Sequence, residues 1–186
     1  MALQDILDDM ELRMMKSLEV IQDEFSKIRT GKASPSLVEN LQVDAYGGHM
    51  RLRELASITT PEARLIVIQP WDAQNVDPID KAIQKSGLGL NPHVDGKIIR
   101  LPIPELSEER RKDLDKLVKK MAEDGRVAIR HVRRDAMEST KKEQKAGKIT
   151  EDDLERAEKE IQAKTDEYIA EIYKQLAKKE KEILTV

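Results

Sequence analysis

Gly125-Arg126-Val127-Ala128-Ile129-Arg130-His131-Val132-Arg133-Arg134-Asp135-Ala136 lies inside a long charged stretch that runs from Ser107 to about Lys148 without a proline. With Val132 set at zero and about 100° per residue, Leu114, Leu117, Val118, Met121, Ala128, Ile129, Val132 and Ala136 fall within about 60° of one line. That spacing predicts one helix with a core stripe. Arg126, Arg130 and Arg133 fall together at about 100–160°, with Lys119 near about 140°, and form a basic ridge beside the stripe. Ser107-Glu108-Glu109 supplies a cap and first-turn acids, and Gly147 a stop.

The charge of this stretch differs from that of the rest of the chain. Residues 107–146 carry 13 Lys+Arg against 9 Asp+Glu, a net of +4, which leaves −7 for the remainder of a chain whose total is −3. Such a balance argues against a protein that coats nucleic acid indiscriminately and allows one oriented against a polyanion by a local patch.

Two further segments share the helical period. From Leu3 to about Arg29 the positions Leu3, Leu7, Met10, Met14, Ile21, Phe25 and Ile28 recur at three- and four-residue steps, with a lapse at Ser17 and a stop at Thr30-Gly31. Thr150-Glu151-Asp152-Asp153 opens the last helix as a capping box with Asp in the fourth place. Leu154, Ala157, Ile161, Thr165, Tyr168, Ile172, Leu176 and Ile183 mark its buried line. Three striped helices, each unable to bury its face alone, make an elongated three-helix bundle.

Between them the texture changes. Six of the eight glycines and all seven prolines lie between Gly31 and Pro104. Ser34-Pro35 opens a short helix through Leu41, Asp77-Pro78 another to about Ser86, and Gly87 ends it. Short β-like runs cover 41–46, 50–52, 56–59, 65–69 and 97–101, with Gly47-Gly48 as a hairpin signal. The fold class is therefore α+β. Residues 1–30 and 105–186 form the bundle, and 31–104 an inserted small α/β module tethered by two short connections. Paired tethers imply a mobile elbow at Thr30–Pro35 and Leu101–Pro104.

Composition narrows the class further. Aromatic residues make up 3% and charged residues 37% of the 186, which favours long solvated helices over a β-sandwich. The absence of cysteine excludes disulfides and thiolate metal sites and fits a reducing, cytoplasmic compartment. No signal or transit peptide and no membrane-spanning run is recognisable. His49, His93 and His131 share no helical face, so neither a metal site nor a cofactor is expected. Gly87-Leu88-Gly89-Leu90-Asn91-Pro92 lacks the context of a phosphate loop, and Asp152, Asp153, Asp166 and Glu167 read as exposed helix charges. An enzyme is not expected.

The basic ridge admits two readings. It is a solvated face pairing with neighbouring acids, or a docking surface for an anion. All four cations within 126–134 are arginine, whose planar fork pairs with phosphate bidentately, and this favours the second. Without interleaved aromatics, structured RNA is a better target than single strands. A helical scaffold that binds a partner protein is the alternative.

Four stretches also carry a resemblance: Arg29-Thr30-Gly31-Lys32-Ala33-Ser34-Pro35-Ser36-Leu37, Leu88-Gly89-Leu90-Asn91-Pro92, Glu108-Glu109-Arg110-Arg111-Lys112-Asp113-Leu114, and 126–136. In this order they resemble the bacterial ribosome recycling factor family, over essentially the whole chain. The resemblance implies a three-helix bundle carrying an inserted β/α/β domain, in an L-shaped, hinged molecule with roughly the dimensions of a tRNA. It implies a non-enzymatic translation factor that binds the ribosome after termination; a monomer is expected because the bundle closes on itself. With elongation factor G and GTP it would split the 70S particle into subunits and release mRNA and tRNA. Its bundle would lie against large-subunit 23S rRNA, and the GTPase would push the mobile second domain. By position, Arg133 is implied as the foremost rRNA contact, with Arg130 and Arg110 beside it and Arg126 and Arg134 as further candidates. Thr30, Gly31, Pro102 and Pro104 are implied as the hinge. One departure is His131, where the family pattern has asparagine; Arg110 falls near the apolar line of the wheel rather than on the ridge.

Overall fold

The computed structural model describes residues 2–184, so Met1, Thr185 and Val186, which the expected bundle segments include, lie outside the described residues. The chain divides into two units, one made of the residues up to Arg29 with those from Glu108 onward, the other of Thr30–Ser107.

The first unit holds three helices, α1 (Leu3–Ser26), α4 (Glu108–Lys145) and α5 (Glu151–Leu184). Each packs on the other two. Its core is built from Met10, Met14 and Ile21 of α1, Val118, Ala122 and Ile129 of α4, and Ile161 and Ile172 of α5, all buried. The ends are set chemically. Past α4, Gly147 N–H donates to Gln144 O and Lys148 N–H to Glu143 O, with Gly147 at φ +70°, so the last carbonyls are satisfied by a left-handed glycine cap. At the start of α5, Asp153 N–H donates to Thr150 Oγ1 and Thr150 N–H to Asp153 Oδ2, both at 3.1 Å, which is the reciprocal box read from the sequence. Helix α1 stops at Ser26, three residues earlier than its apolar spacing implied.

The buried arc of α4 is displaced from the expected line. Its buried positions are Leu114, Val118, Ala122, Gly125, Arg126, Ile129, Val132, Ala136 and Thr140. On the same wheel these centre about 50° from Val132, toward Arg126, because α4 must face two partners at once. Leu117, placed on the stripe by the sequence, is 41% exposed as a result.

The second unit contains β1 (Gln42–Ala45), β2 (Gly48–Arg51), a single helical turn α2 (Leu52–Leu55), β3 (Ala56–Glu62), β4 (Leu65–Pro70), α3 (Val76–Lys85), β5 (His93–Asp95) and β6 (Ile98–Pro102). Strands β1 and β2 form a hairpin; the others form an antiparallel sheet of order β3-β4-β6-β5. Alternation in β4 and β6 sends Ile66, Ile68, Ile99 and Leu101 to one face, in register as Ile66 opposite Leu101 and Ile68 opposite Ile99. Ile79 and Ile83 of α3 belong to the same core.

Several local expectations shift. The hairpin turn is Tyr46-Gly47, both at positive φ, rather than Gly47-Gly48, since Ala45 pairs with Gly48. The expected helix after Ser34 is only a 3-10 turn, Pro35–Leu37. Strand β5 was not anticipated because all three of its side chains are exposed and carry no alternation.

The connecting segments are tied to the second unit itself. Ala33 N–H donates to Ala63 O at 2.7 Å and Ile103 N–H to Arg64 O at 2.8 Å, while Arg64 pairs with Glu105. Gly31 sits at φ +76°, and a Cβ there would lie 3.3 Å from Leu106 Cγ. Pro102, expected as a hinge residue, is instead the last residue of β6 and pairs with Leu65. Pro104 lies beyond that strand.

Candidate nucleic-acid interface

Recentring the buried arc of α4 also moves its cationic face. Positions Val127, Arg130, His131, Arg134, Met137 and Lys141 fall at about 140–260° on the wheel, away from the core. Together with Arg133, and with Glu158 and Gln162 of α5, they line an open depression of about 600 Å³. Four cations and one carboxylate face it.

Each cation has a partner on the protein. Arg130 Nη1 donates to Glu123 Oε1 at 3.3 Å, and Arg133 Nη1 to Gln162 Oε1 at 3.4 Å. Arg134 Nη2 stands 2.9 Å from His131 Nδ1, and Lys141 Nζ 3.6 Å from Glu158 Oε1. These bonds are exposed or only half-buried, so an incoming phosphate can replace them at small cost. Hydrogen bonding from Arg126, aided by the charges of Arg126 and Arg130, holds the Glu123 carboxyl below its ordinary range. Asp135 is lowered chiefly by its bond from Arg13 of α1, at 2.8 Å, with Arg134 and His131 adding to it.

Arg126 does not belong to this surface, contrary to the ridge read from the sequence. Its Nε and Nη2 donate to Glu123 Oε2 at 2.9 and 2.7 Å, and its guanidinium lies 4.5 Å from the ring centroid of Tyr173 on α5. The residue is 9% exposed. Nη1 is buried and, among the described residues, has no hydrogen-bond partner. At about 120° on the wheel, Arg126 was placed outside a stripe centred on Val132; the true centre brings it under α5. Arg110 is exposed on α4 but lies 20 residues from Arg130, about 30 Å along the axis, and does not line the depression.

The structure thus brings Arg130, Arg133 and Arg134 together, sets Arg110 apart and turns Arg126 inward. Val127, His131, Met137 and Lys141 of α4, with Glu158 and Gln162 of α5, are groove residues that sequence reasoning missed. His131 and Lys141 follow the Arg134 side of the helix at three- and seven-residue steps, a signal hidden by the choice of origin. Gln162 carried none, since only the pairing of α4 with α5 places it.

Among the described residues no cluster of His, Cys, Asp or Glu could hold a metal ion, and no helix is long and apolar enough to cross a membrane. Fold and site define a helical bundle that carries an inserted α/β module and an arginine-lined depression. The family model described as ribosome recycling factor matches residues 21–184. A ribosome-recycling factor of Caldicellulosiruptor bescii is 54% identical over 176 residues, 95% of this chain and 96% of that protein. One of Halalkalibacterium halodurans is 50% identical over 182 residues, 98% of each. A solution structure of a ribosome recycling factor superposes with a TM-score of 0.75 at 42% identity, covering 100% of this chain and 99% of the other. A second solved relative, at 45% identity and a TM-score of 0.65 over 99% and 100% of the two chains, is the Thermus thermophilus ribosome recycling factor, described with Escherichia coli elongation factor G on the post-termination complex. The chain belongs to the ribosome recycling factor family and is a non-enzymatic translation factor.

Proposed function

We propose that this protein binds the post-termination ribosome as a monomer in the cytoplasm and, with elongation factor G and GTP, promotes its dissociation into subunits with release of mRNA and tRNA. Arg130, Arg133 and Arg134 dock the bundle on large-subunit rRNA, Arg133 first among them. Arg110 makes a separate contact further along α4. Thr30, Gly31 and Pro104 lie in the segments that flex while the second unit is displaced; Pro102 is left out because its strand holds it.

The observation that supports this reading is the depression shared by α4 and α5, where three arginines and Lys141 face outward with a single carboxylate. Planar guanidinium groups suit phosphate oxygens, and the A-form backbone of structured RNA offers them at regular spacing. A polysome-disassembly assay with elongation factor G and GTP tests the activity. Conversion of polysomes to subunits only when this protein is added is the expected result; no conversion overturns the reading.

A further inference from the structure

Glu123 of α4 lies one turn before Val127, the first residue to line the depression. Its carboxylate divides its oxygens between two arginines. Oε2 accepts from Arg126 Nε at 2.9 Å and from Arg126 Nη2 at 2.7 Å, while Oε1 accepts from Arg130 Nη1 at 3.3 Å. The two cations differ in standing. Arg126 is buried with its guanidinium 4.5 Å from the Tyr173 ring centroid, so it is fixed in the seam of α4 with α5 and presents nothing to a ligand outside. Arg130 is exposed and lines the depression, and Glu123 is the partner the structure gives it. We propose that Glu123 is a positioning residue for RNA docking: anchored by Arg126, it holds Arg130 in the pose that meets the phosphate backbone. This rests on the docking reading above.

Two effects of the carboxylate oppose each other, and their sizes decide the sign. A negative charge beside the groove repels phosphate. That repulsion is largely cancelled, because a guanidinium nitrogen of Arg126 sits 2.7 Å from the same carboxylate and the pair carries no net charge. Ordering is not cancelled. An arginine side chain that is loose in solvent loses rotamer freedom when it docks, at a cost of about two- to ten-fold in affinity. Glu123 has already restricted Arg130 in the free protein. It takes one of the guanidinium's N–H donors and leaves the others for phosphate oxygens, so docking does not require that the bond break. Positioning therefore outweighs repulsion. Charge counting alone predicts the reverse, since a carboxylate removed from a basic surface would tighten the hold on a polyanion.

Because Arg126 also carries bundle stability, Glu123 is the member to change. The experiment measures binding of the full chain to 50S subunits across a salt series for the wild type, Glu123→Gln, Glu123→Asp, Arg130→Ala and the double variant of Glu123→Gln with Arg130→Ala. Glutamine has a single oxygen, which the two donors of Arg126 claim, and it turns its amide N–H groups toward Arg130. Aspartate keeps the charge but, one methylene shorter, does not span both arginines. Melting curves check that each variant is folded. Both Glu123 variants should bind about two- to ten-fold more weakly than the wild type, with an unchanged slope of log affinity against log salt because the same phosphates are met. Arg130→Ala should lower that slope. In its background Glu123→Gln should have no further effect, the non-additivity of residues that act as one unit. Wild-type or tighter binding by Glu123→Gln, normal binding by Glu123→Asp, or an equal loss with and without Arg130 overturns the inference. Arg130→Ala separates the two levels: if it weakens binding while the Glu123 variants match the wild type, only the positioning role fails. If Arg130→Ala binds normally, the docking surface itself is misplaced.

Discussion

Gly125 of α4 has no side chain where Ile21 of α1 crosses it: a Cβ built there would lie 2.6 Å from Ile21 Cγ1 and 2.8 Å from Ile21 Cδ1, with Ile172 Cδ1 of α5 at 3.4 Å. Glycine inside a helix costs about 1 kcal/mol relative to alanine, and here that cost admits the close approach of all three helices. Gly125→Ala should therefore lower stability by about 1–3 kcal/mol despite alanine's better propensity, because Ile21 must leave its packed rotamer. Denaturant unfolding checks it. A variant of equal or greater stability would show that the helices separate without penalty.

Arg133→Ala should leave the melting temperature nearly unchanged, as surface substitutions generally alter stability by under about 0.5 kcal/mol. Binding to 50S particles should weaken. The slope of log affinity against log salt should fall by about 0.7–0.9 if one phosphate contact is lost. Co-sedimentation across a salt series measures both.

Arg126 and Arg130 should behave in opposite ways although four residues separate them. Removing Arg126 deletes two bonds to Glu123 and the stacking on Tyr173, at about 1–3 kcal/mol of stability. Arg130→Ala should cost little stability and reduce ribosome binding. Thermal melts beside sedimentation distinguish the two patterns; matching profiles would return Arg126 to the docking surface.

Gly31→Ala tests the connecting segment. At φ +76° an L-residue is strained by about 1–2 kcal/mol, and the added methyl group meets Leu106. Ribosome binding should persist while the rate of subunit splitting falls. Splitting at the wild-type rate would place the flexing elsewhere.

Acid should weaken the link between α1 and α4. The Asp135 carboxyl is lowered in the folded state, first by hydrogen bonding from Arg13, so its contribution is complete above the unfolded carboxylate range and is lost as pH falls through the lowered value. Melting temperature should drop more steeply below about pH 4 in the wild type than in Arg13→Ala. Superimposable acid limbs would show that the pair adds nothing.

Much of this architecture is legible in the residues because the bundle helices announce themselves by period, and the end of α4 and the start of α5 by terminal chemistry as well. Thr150 with Asp153 and Gly147 after Lys145 mark ends that the backbone hydrogen bonds reproduce. The candidate groove was only half legible. A helical wheel orders residues around one axis but does not know how many neighbours that axis has, and a second neighbour rotated the buried arc enough to take Arg126 in and leave Leu117 out. Gln162 was beyond reach for a related reason, since its place beside Arg133 depends on the mutual register of two helices. Strand β5 was missed because pairing with β6 alone defines it, without a buried face.

The turn between β3 and β4 has a consequence for how the chain assembles. Through Ala63 and Arg64 it holds both the entering segment, at Ala33, and the leaving segment, at Ile103. Once the second unit has formed, about 80 residues between α1 and α4 act as a link of about a dozen free ones, which lowers the entropic cost of closing that loop by roughly 2 kcal/mol. A contact order that looks high along the sequence is therefore low along the folding route, provided the insertion forms early. The module interrupting the bundle shortens the search by which its two flanking helices meet.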